Sequence, residues 1–157
     1  MLRAKIKIGD LAEVDTLEYG LVYLDSDKRT GAPTKGYEAV SYPEREGEDI
    51  LPKSVDAPFD YTVKFFVQAG SVDTANDLIV QFNDKLYEQE AGSDIKTFHK
   101  VEFTNLYKRH KIVGYPFPID MATEFWRDPS GLVKDVVVVE WKIRVTKPSE
   151  CNFNYSE

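Results

Sequence analysis

The chain has 157 residues, 42% of them hydrophobic and 13% aromatic, with a formal net charge of −7 at pH 7. That supplies enough side-chain area for one core in a single domain spanning 1–157 and excludes a disordered tail. The acidic balance lacks the positive field that nucleic-acid binding needs, and one cysteine, Cys151, excludes an internal disulfide and a Cys-rich zinc site.

Lys5 to Ile8 alternates polar and apolar residues and reads as a strand, and Gly9-Asp10 follows as a turn. No apolar h-region follows the basic residues, so the segment is not read as a signal peptide, and no run approaches the ~18 apolar residues of a membrane span. The expectation is a protein made in the cytosol with no membrane partner. Glu18 to Leu24 is a second predicted strand, Asp25 to Gly36 a loop, and Tyr37 to Tyr42 a short strand. Residues 43–57 carry two prolines and no periodicity, so they are predicted to form one long extended loop of a kind that compact domains keep for function.

Phe59 to Val67 is the clearest strand, with Phe59, Tyr61, Val63 and Phe65 on one face and Asp60, Thr62 and Lys64 on the other. Ser71 is a candidate N-cap, and Ala75, Leu78, Ile79, Phe82 and Leu86 then fall at helical spacing. A helix over about 72–89, stopped by Gly92, should lay that stripe on the sheet. Thr97–Phe103 and Tyr107–Val113 read as two strands, the second stopped by Pro116 and Pro118, and Asp128 to Gly131 reads as a turn. The last strand, Lys134 to Val145, has Val137, Val139, Trp141, Ile143 and Val145 on one face, while Val136 and Val138 make its start apolar on both. A short C-terminal tail begins at about 149. The fold class is mainly β (α+β), an antiparallel β-sandwich or open barrel with one packed amphipathic helix.

Catalytic constellations are missing. No G-x-S-x-G, H-E-x-x-H, Walker or dinucleotide signature occurs. Gly31 to Gly36 mimics phosphate-loop spacing but continues with Tyr37, and the calcium-loop opening at Asp25-Ser26-Asp27 lacks its bidentate Glu. His99 and His110 lie on different predicted strands without a third ligand. Glu44, Glu46, Glu48 and Asp49 read as a solvated charge run, and the basic Lys108-Arg109-His110-Lys111 would be split between two strand faces. The chain is therefore expected to be no enzyme and to bind no cofactor, no metal and no specific nucleic acid. Cys151 reads as an inert reduced thiol.

From Ser41 to Tyr87 the order of features runs from a charged extended segment containing Arg45-Glu46-Gly47-Glu48-Asp49, through the alternating strand of Phe59 to Val67, to a Gly-Ser break and the helix. This arrangement resembles the N-terminal domain of bacteriophage distal tail proteins. The resemblance implies a virion structural protein of a phage or prophage tail that closes into a ring, hexameric in the family, and meets other tail proteins. It also implies a long loop and a β-hairpin reaching to neighbouring subunits, with Arg45, Glu46, Gly47 and Asp49 in that arm and 59–67 in the ring-forming sheet. The implied location is the bacterial cytoplasm before assembly and the virion tail afterwards.

A ring subunit must expose apolar or strand-edge surface to its neighbours. Val136, Val138, Tyr115, Phe117, Phe125 and Trp126 are candidates for that surface, since aromatic residues are enriched at interface cores. The competing reading is a small-ligand or carbohydrate-binding β-sandwich module that uses Tyr115, Phe117, Phe125 and Trp126 as a stacking platform.

Overall fold

The structure is a computed structural model that describes residues 4–34, 38–41, 48–51, 55–69, 71–120, 124–126 and 136–156. Its strands in chain order are β1 (Ala4–Ile8), β2 (Val14–Asp15), β3 (Val22–Ser26), β4 (Glu38–Ser41), β5 (Glu48–Leu51), β6 (Phe59–Gln68), β7 (Tyr87–Gln89), β8 (Lys96–Phe98), β9 (Val101–Asn105), β10 (His110–Pro116), β11 (Glu124–Trp126) and β12 (Val136–Val145). One α-helix, α1 (Val72–Lys85), follows β6. The main sheet is antiparallel with strand order β2-β1-β9-β10-β12-β6-β3, and β11 adds to β12.

The sheet turns back on itself at β10. Residues 110–114 of that strand pair with β9, and Tyr115 and Pro116 pair with Arg144 and Ile143 of β12. A Cβ built on Gly114, where the partner changes, would collide with the Arg144 carbonyl oxygen and stand 2.9 Å from Ile143 Cγ2, so only glycine lets the two strands approach there. The two halves then face each other across a shared core. Phe103 of β9 lies 6.2–6.4 Å, centroid to centroid, from Tyr23, Tyr61, Phe65 and Trp141 of the opposite half.

The two long strands follow their two-residue period. Phe59, Tyr61, Val63, Phe65 and Val67 are buried on β6, as are Val137, Val139, Trp141, Ile143 and Val145 on β12. Helix α1 begins at its N-cap Ser71, whose Oγ accepts the Thr74 N–H at 3.2 Å. It buries Ala75, Ile79 and Phe82, the last edge-on to Trp141 at 5.4 Å. Burying a side chain of that size contributes about 1.5–3 kcal/mol. The Trp141 indole N–H, at the centre of this packing, has no hydrogen-bond partner among the described residues.

Several expectations are corrected. Residues 18–24 are not one strand: Asp15 Oδ1 caps a short 3₁₀ turn over Thr16–Tyr19 at 3.0 Å, and Gly20 ends it in the left-handed region at φ 75° before β3 begins. The stretch 43–57 is not wholly loop, because β5 pairs with β4 as a two-stranded sheet of its own. The helix stops at Lys85, and Gly92 belongs instead to the turn of a β7–β8 hairpin. Thr97–Phe103 breaks at His99, whose N–H bonds back to the Leu86 carbonyl at 2.9 Å. Lys108 and Arg109 lie in the turn before β10, not on a strand.

β10 ends at Pro116, three residues past the expected Val113. The Phe117 N–H, one residue on, bonds the Lys142 carbonyl at 2.9 Å, so the missing proline N–H falls on the side that β9 has already left. Trp126 is in β11, and the turn expected at 128–131 lies outside the described residues.

Candidate interaction surface

Because Trp141, Ile143 and Val145 point inward, Glu140, Lys142 and Arg144 point out from β12, and Asp60, Thr62 and Lys64 point out from β6 beside them. Tyr115 stands opposite Arg144, and Phe117 is bonded to Lys142 through its backbone. These two aromatic side chains are 43% and 45% exposed on the same outer face. Cross-strand ion pairs join Arg144 to Asp60 at 3.1 Å and Lys64 to Glu140 at 3.7 Å, which at this exposure fix local register more than stability.

A groove of about 430 Å³ opens on this face between Asp60, Phe117, Pro118, Asp120, Glu140 and Lys142. The segment 117–120 that lines one side of it is anchored from the helix. Asn83 donates through Nδ2 to the Ile119 carbonyl at 2.9 Å and accepts the Ile119 N–H on Oδ1 at 2.8 Å, holding the buried Ile119 beneath the exposed Phe117 and Pro118.

The candidate contact residues therefore separate into groups. Tyr115 and Phe117 flank the groove. Val136 pairs with Gln68 on one side and Trp126 on the other, and the half-buried Val138 pairs with Phe66 and Glu124, so these mark the other end of β12. Lys142 lies four positions after Val138, roughly 13 Å along the strand. Asp49 stands in β5 opposite Val40, on the β4–β5 ribbon, and Arg45 and Glu46 lie outside the described residues. The ribbon's base is held by the bridge of Thr34 to Asp56 and by the Ala57 N–H on the Pro33 carbonyl at 2.6 Å.

Sequence reasoning missed a buried polar cluster behind this face. Tyr61 Oη lies 2.6 Å from His110 Nδ1 and 3.0 Å from Ser26 Oγ; Tyr23 Oη is 2.9 Å from Ser26 Oγ, and Asn105 Nδ2 donates to Tyr23 Oη at 2.6 Å and Ser26 Oγ at 3.2 Å. The cluster ties β3, β6, β9 and β10 together. Burial holds the His110 imidazole below its ordinary pKa and pushes the Tyr61 phenol up, so both stay neutral near pH 7. Ser26 meets Tyr23, Tyr61 and Asn105 and has no bond to the imidazole, so a serine–histidine nucleophile is not assembled.

His99 and His110 do not come together: His99 sits against Gly9 and faces Glu88 at 3.7 Å, past the end of β9 away from His110. Among the described residues no three His, Cys, Asp or Glu side chains gather as a metal site requires, and no helix is long and apolar enough to cross a membrane. Asp25, which opens the calcium-like stretch, is engaged by Lys108 at 2.5 Å, and that bond holds its carboxyl below the usual range. Cys151 has a structural place: its Sγ accepts the Val113 N–H at 3.4 Å, and burial pushes the thiol up.

No family model matches the chain, and no curated protein matches it. Among solved structures the chain is similar to the Dit protein of SPP1, described as a paradigm of the hub adsorption apparatus in phages infecting Gram-positive bacteria. The TM-score is 0.57 at 12% identity, over 92% of this chain and 50% of that one. At that identity the likeness is one of fold, and the chain spans about half the length of the Dit protein.

Proposed function

We propose that this chain is a non-enzymatic structural component of a phage or prophage tail that joins copies of itself into a closed ring and meets other tail proteins. The observation that carries the reading is the fold shared with the SPP1 Dit protein over 92% of the chain. The β4–β5 ribbon supports it as well. A two-stranded ribbon in a sheet of its own is at best marginally stable in water, and a neighbouring subunit is the surface that would complete it. Identical copies meeting through two different surfaces close into a ring when the rotation closes. Six is the number the family resemblance implies.

Light scattering across a concentration series tests this. The expected result is a rise to one closed mass, lost when residues 38–51 are replaced by a short Gly-Ser turn. A wild-type chain that stays monomeric at the highest concentration, and also when mixed with its neighbouring tail proteins, overturns the reading.

The groove favours a second reading. Exposed Phe117 beside Asp60, Asp120 and Glu140 offers one stacking face and several hydrogen-bond acceptors, the chemistry a carbohydrate module uses. Titration with a glycan panel, read by amide chemical shifts of 115–120, separates the two.

A further inference from the structure

Strand β9 is entered and left through two turns of opposite charge. Before it comes the β7–β8 hairpin, whose residues 87–98 carry Glu88, Glu90 and Asp94 against a single lysine, Lys96. After it comes the turn into β10, which Lys108 ties to the end of β3. Residues 25–30 and 105–111 meet there and hold five lysines and arginines against Asp25 and Asp27. Both aspartates are already engaged, Asp25 by Lys108 at 2.5 Å and Asp27 by Arg29 at 3.4 Å. Lys28 and Arg109 are exposed with no carboxylate partner among the described residues, and the exposed Glu90 and Asp94 have no cationic partner among them.

Each turn is fixed by bonds of its own. In the hairpin the Ser93 N–H donates to the Glu90 carbonyl at 3.1 Å, the Glu90 N–H to the Ile95 carbonyl at 3.2 Å, and Gln89 Nε2 to the Ser93 carbonyl at 2.9 Å, with Gly92 in the left-handed region at φ 74°. This leaves Ile95 61% exposed beside Asp94. At the other turn Asn105 Oδ1 accepts the Tyr107 and Lys108 N–H groups at 3.0 and 3.1 Å, and Lys108 Nζ donates to the Ser26 carbonyl. Arg109 stands at φ 58°, a costly angle for a residue with a side chain, and the Tyr155 N–H holds its carbonyl there at 2.8 Å. Turns held in advance in this way lose little freedom on forming a contact.

The two turns also differ in shape. Beside the basic turn Lys28, Arg29, Thr30, Lys108 and His110 line a shallow hollow of about 340 Å³. The long stems of its basic side chains can take an apolar group between them while their charged ends stay in water. An exposed isoleucine flanked by carboxylates is the complement of such a hollow in both shape and charge. The hairpin does not fill it within one chain. It joins the opposite end of β9, roughly 17 Å of strand away, and none of its residues lines the hollow.

We propose that the two turns bind each other between copies: Ile95 of one chain enters the hollow of the next, with Glu90 and Asp94 against Lys28 and Arg109. Every copy then offers one acidic and one basic surface, and such a head-to-tail contact closes into a ring when its rotation closes. The inference rests on the ring reading and deepens it by naming the two surfaces that meet.

Charge reversal in the full chain, read by light scattering across a concentration series, tests it. One variant combines Lys28→Glu with Arg109→Glu, and a second combines Glu90→Lys with Asp94→Lys. Each alone should raise the concentration at which the closed mass appears by at least about tenfold. An equimolar mixture of the two should bring it back, because each reversed turn then meets an opposite charge on the other variant. Unchanged association in either variant, or a loss that mixing does not restore, overturns this contact and leaves the ring reading standing. A wild-type chain that stays monomeric, alone and with its neighbouring tail proteins, overturns both. Should a reversed variant not fold, Ile95→Ser and the salt dependence of the wild type decide. Association should weaken in Ile95→Ser and on raising salt to about 0.5 M, and indifference to either overturns the contact.

Discussion

Tyr61 Oη and His110 Nδ1 meet at 2.6 Å in a core where the tyrosine is fully buried and the histidine is 3% exposed, joining residues 49 positions apart across the two halves of the sheet. Replacing Tyr61 by Phe removes the partner of His110 Nδ1 and the hydroxyl that donates to Ser26 Oγ. The expected loss is about 1–3 kcal/mol, read as a lower urea midpoint at unchanged slope. The pH dependence follows from the same burial. His110 titrates below its ordinary value in the folded protein, so between the folded and unfolded values the unfolded chain binds more protons. Its contribution to stability is complete above the ordinary value and is lost as pH falls through the folded one. Urea midpoints measured between pH 8 and 5 should drop on the acid side, and His110→Gln should flatten that drop.

Gly114 is required by the close approach of β10 to β12, not by an unusual backbone angle. In Gly114→Ala the methyl group would overlap the Arg144 carbonyl oxygen, and backbone cannot yield as a flexible side chain does. The expected cost is about 1–3 kcal/mol in thermal or urea unfolding. A variant as stable as the parent would mean that the two halves of the sheet do not cross at this point.

How much could be read from sequence depended on the length over which a period ran. β6 and β12 each repeat their alternation for ten residues, and α1 combines an apolar stripe with a capping serine, so all three were legible within a few residues. β4 falls within the short strand expected at 37–42, whereas β5, the β7–β8 pair and β11 span three or four residues each, too short for alternation to stand out, and their existence rests on backbone pairing. Tyr115 and Phe117 are exposed on the outer face of the single chain, while Val136 and Trp126 pair with each other at a different end of β12. The polar cluster was invisible because Ser26, Tyr61, Asn105 and His110 come from four separate strands. One signal pointed to it: His110 alternates with Ile112 and Gly114, all three buried, which puts the imidazole on an apolar face.

Asn83 satisfies both backbone groups of Ile119 and so connects α1 to the segment that carries Phe117, Pro118 and Asp120 along the groove. Asn83→Ala should leave the Ile119 N–H and carbonyl without their partner and cost about 1–3 kcal/mol. Asn83→Asp keeps the acceptor for the N–H and loses the donor to the carbonyl, and should fall between parent and alanine. Faster amide exchange confined to 117–120 in both variants would locate the effect at the groove, whereas a uniform change across the sheet would not support this linkage.

Tyr115 and Phe117 give the sharpest test of the outer face. Each keeps more than two-fifths of its surface exposed in the single chain, so replacing both by Ser should alter folding stability by no more than about 0.5 kcal/mol. At a subunit contact the same pair would instead lie among the few aromatic anchors that carry most of the association energy, and losing one such anchor costs about 2 kcal/mol or more. The expected outcome is an unchanged urea midpoint for the isolated chain and a shift of at least roughly thirtyfold in the concentration at which the closed mass appears. An unchanged association curve with unchanged stability would move the subunit contact off this face, to the β4–β5 ribbon and the Val136–Val138 end of β12.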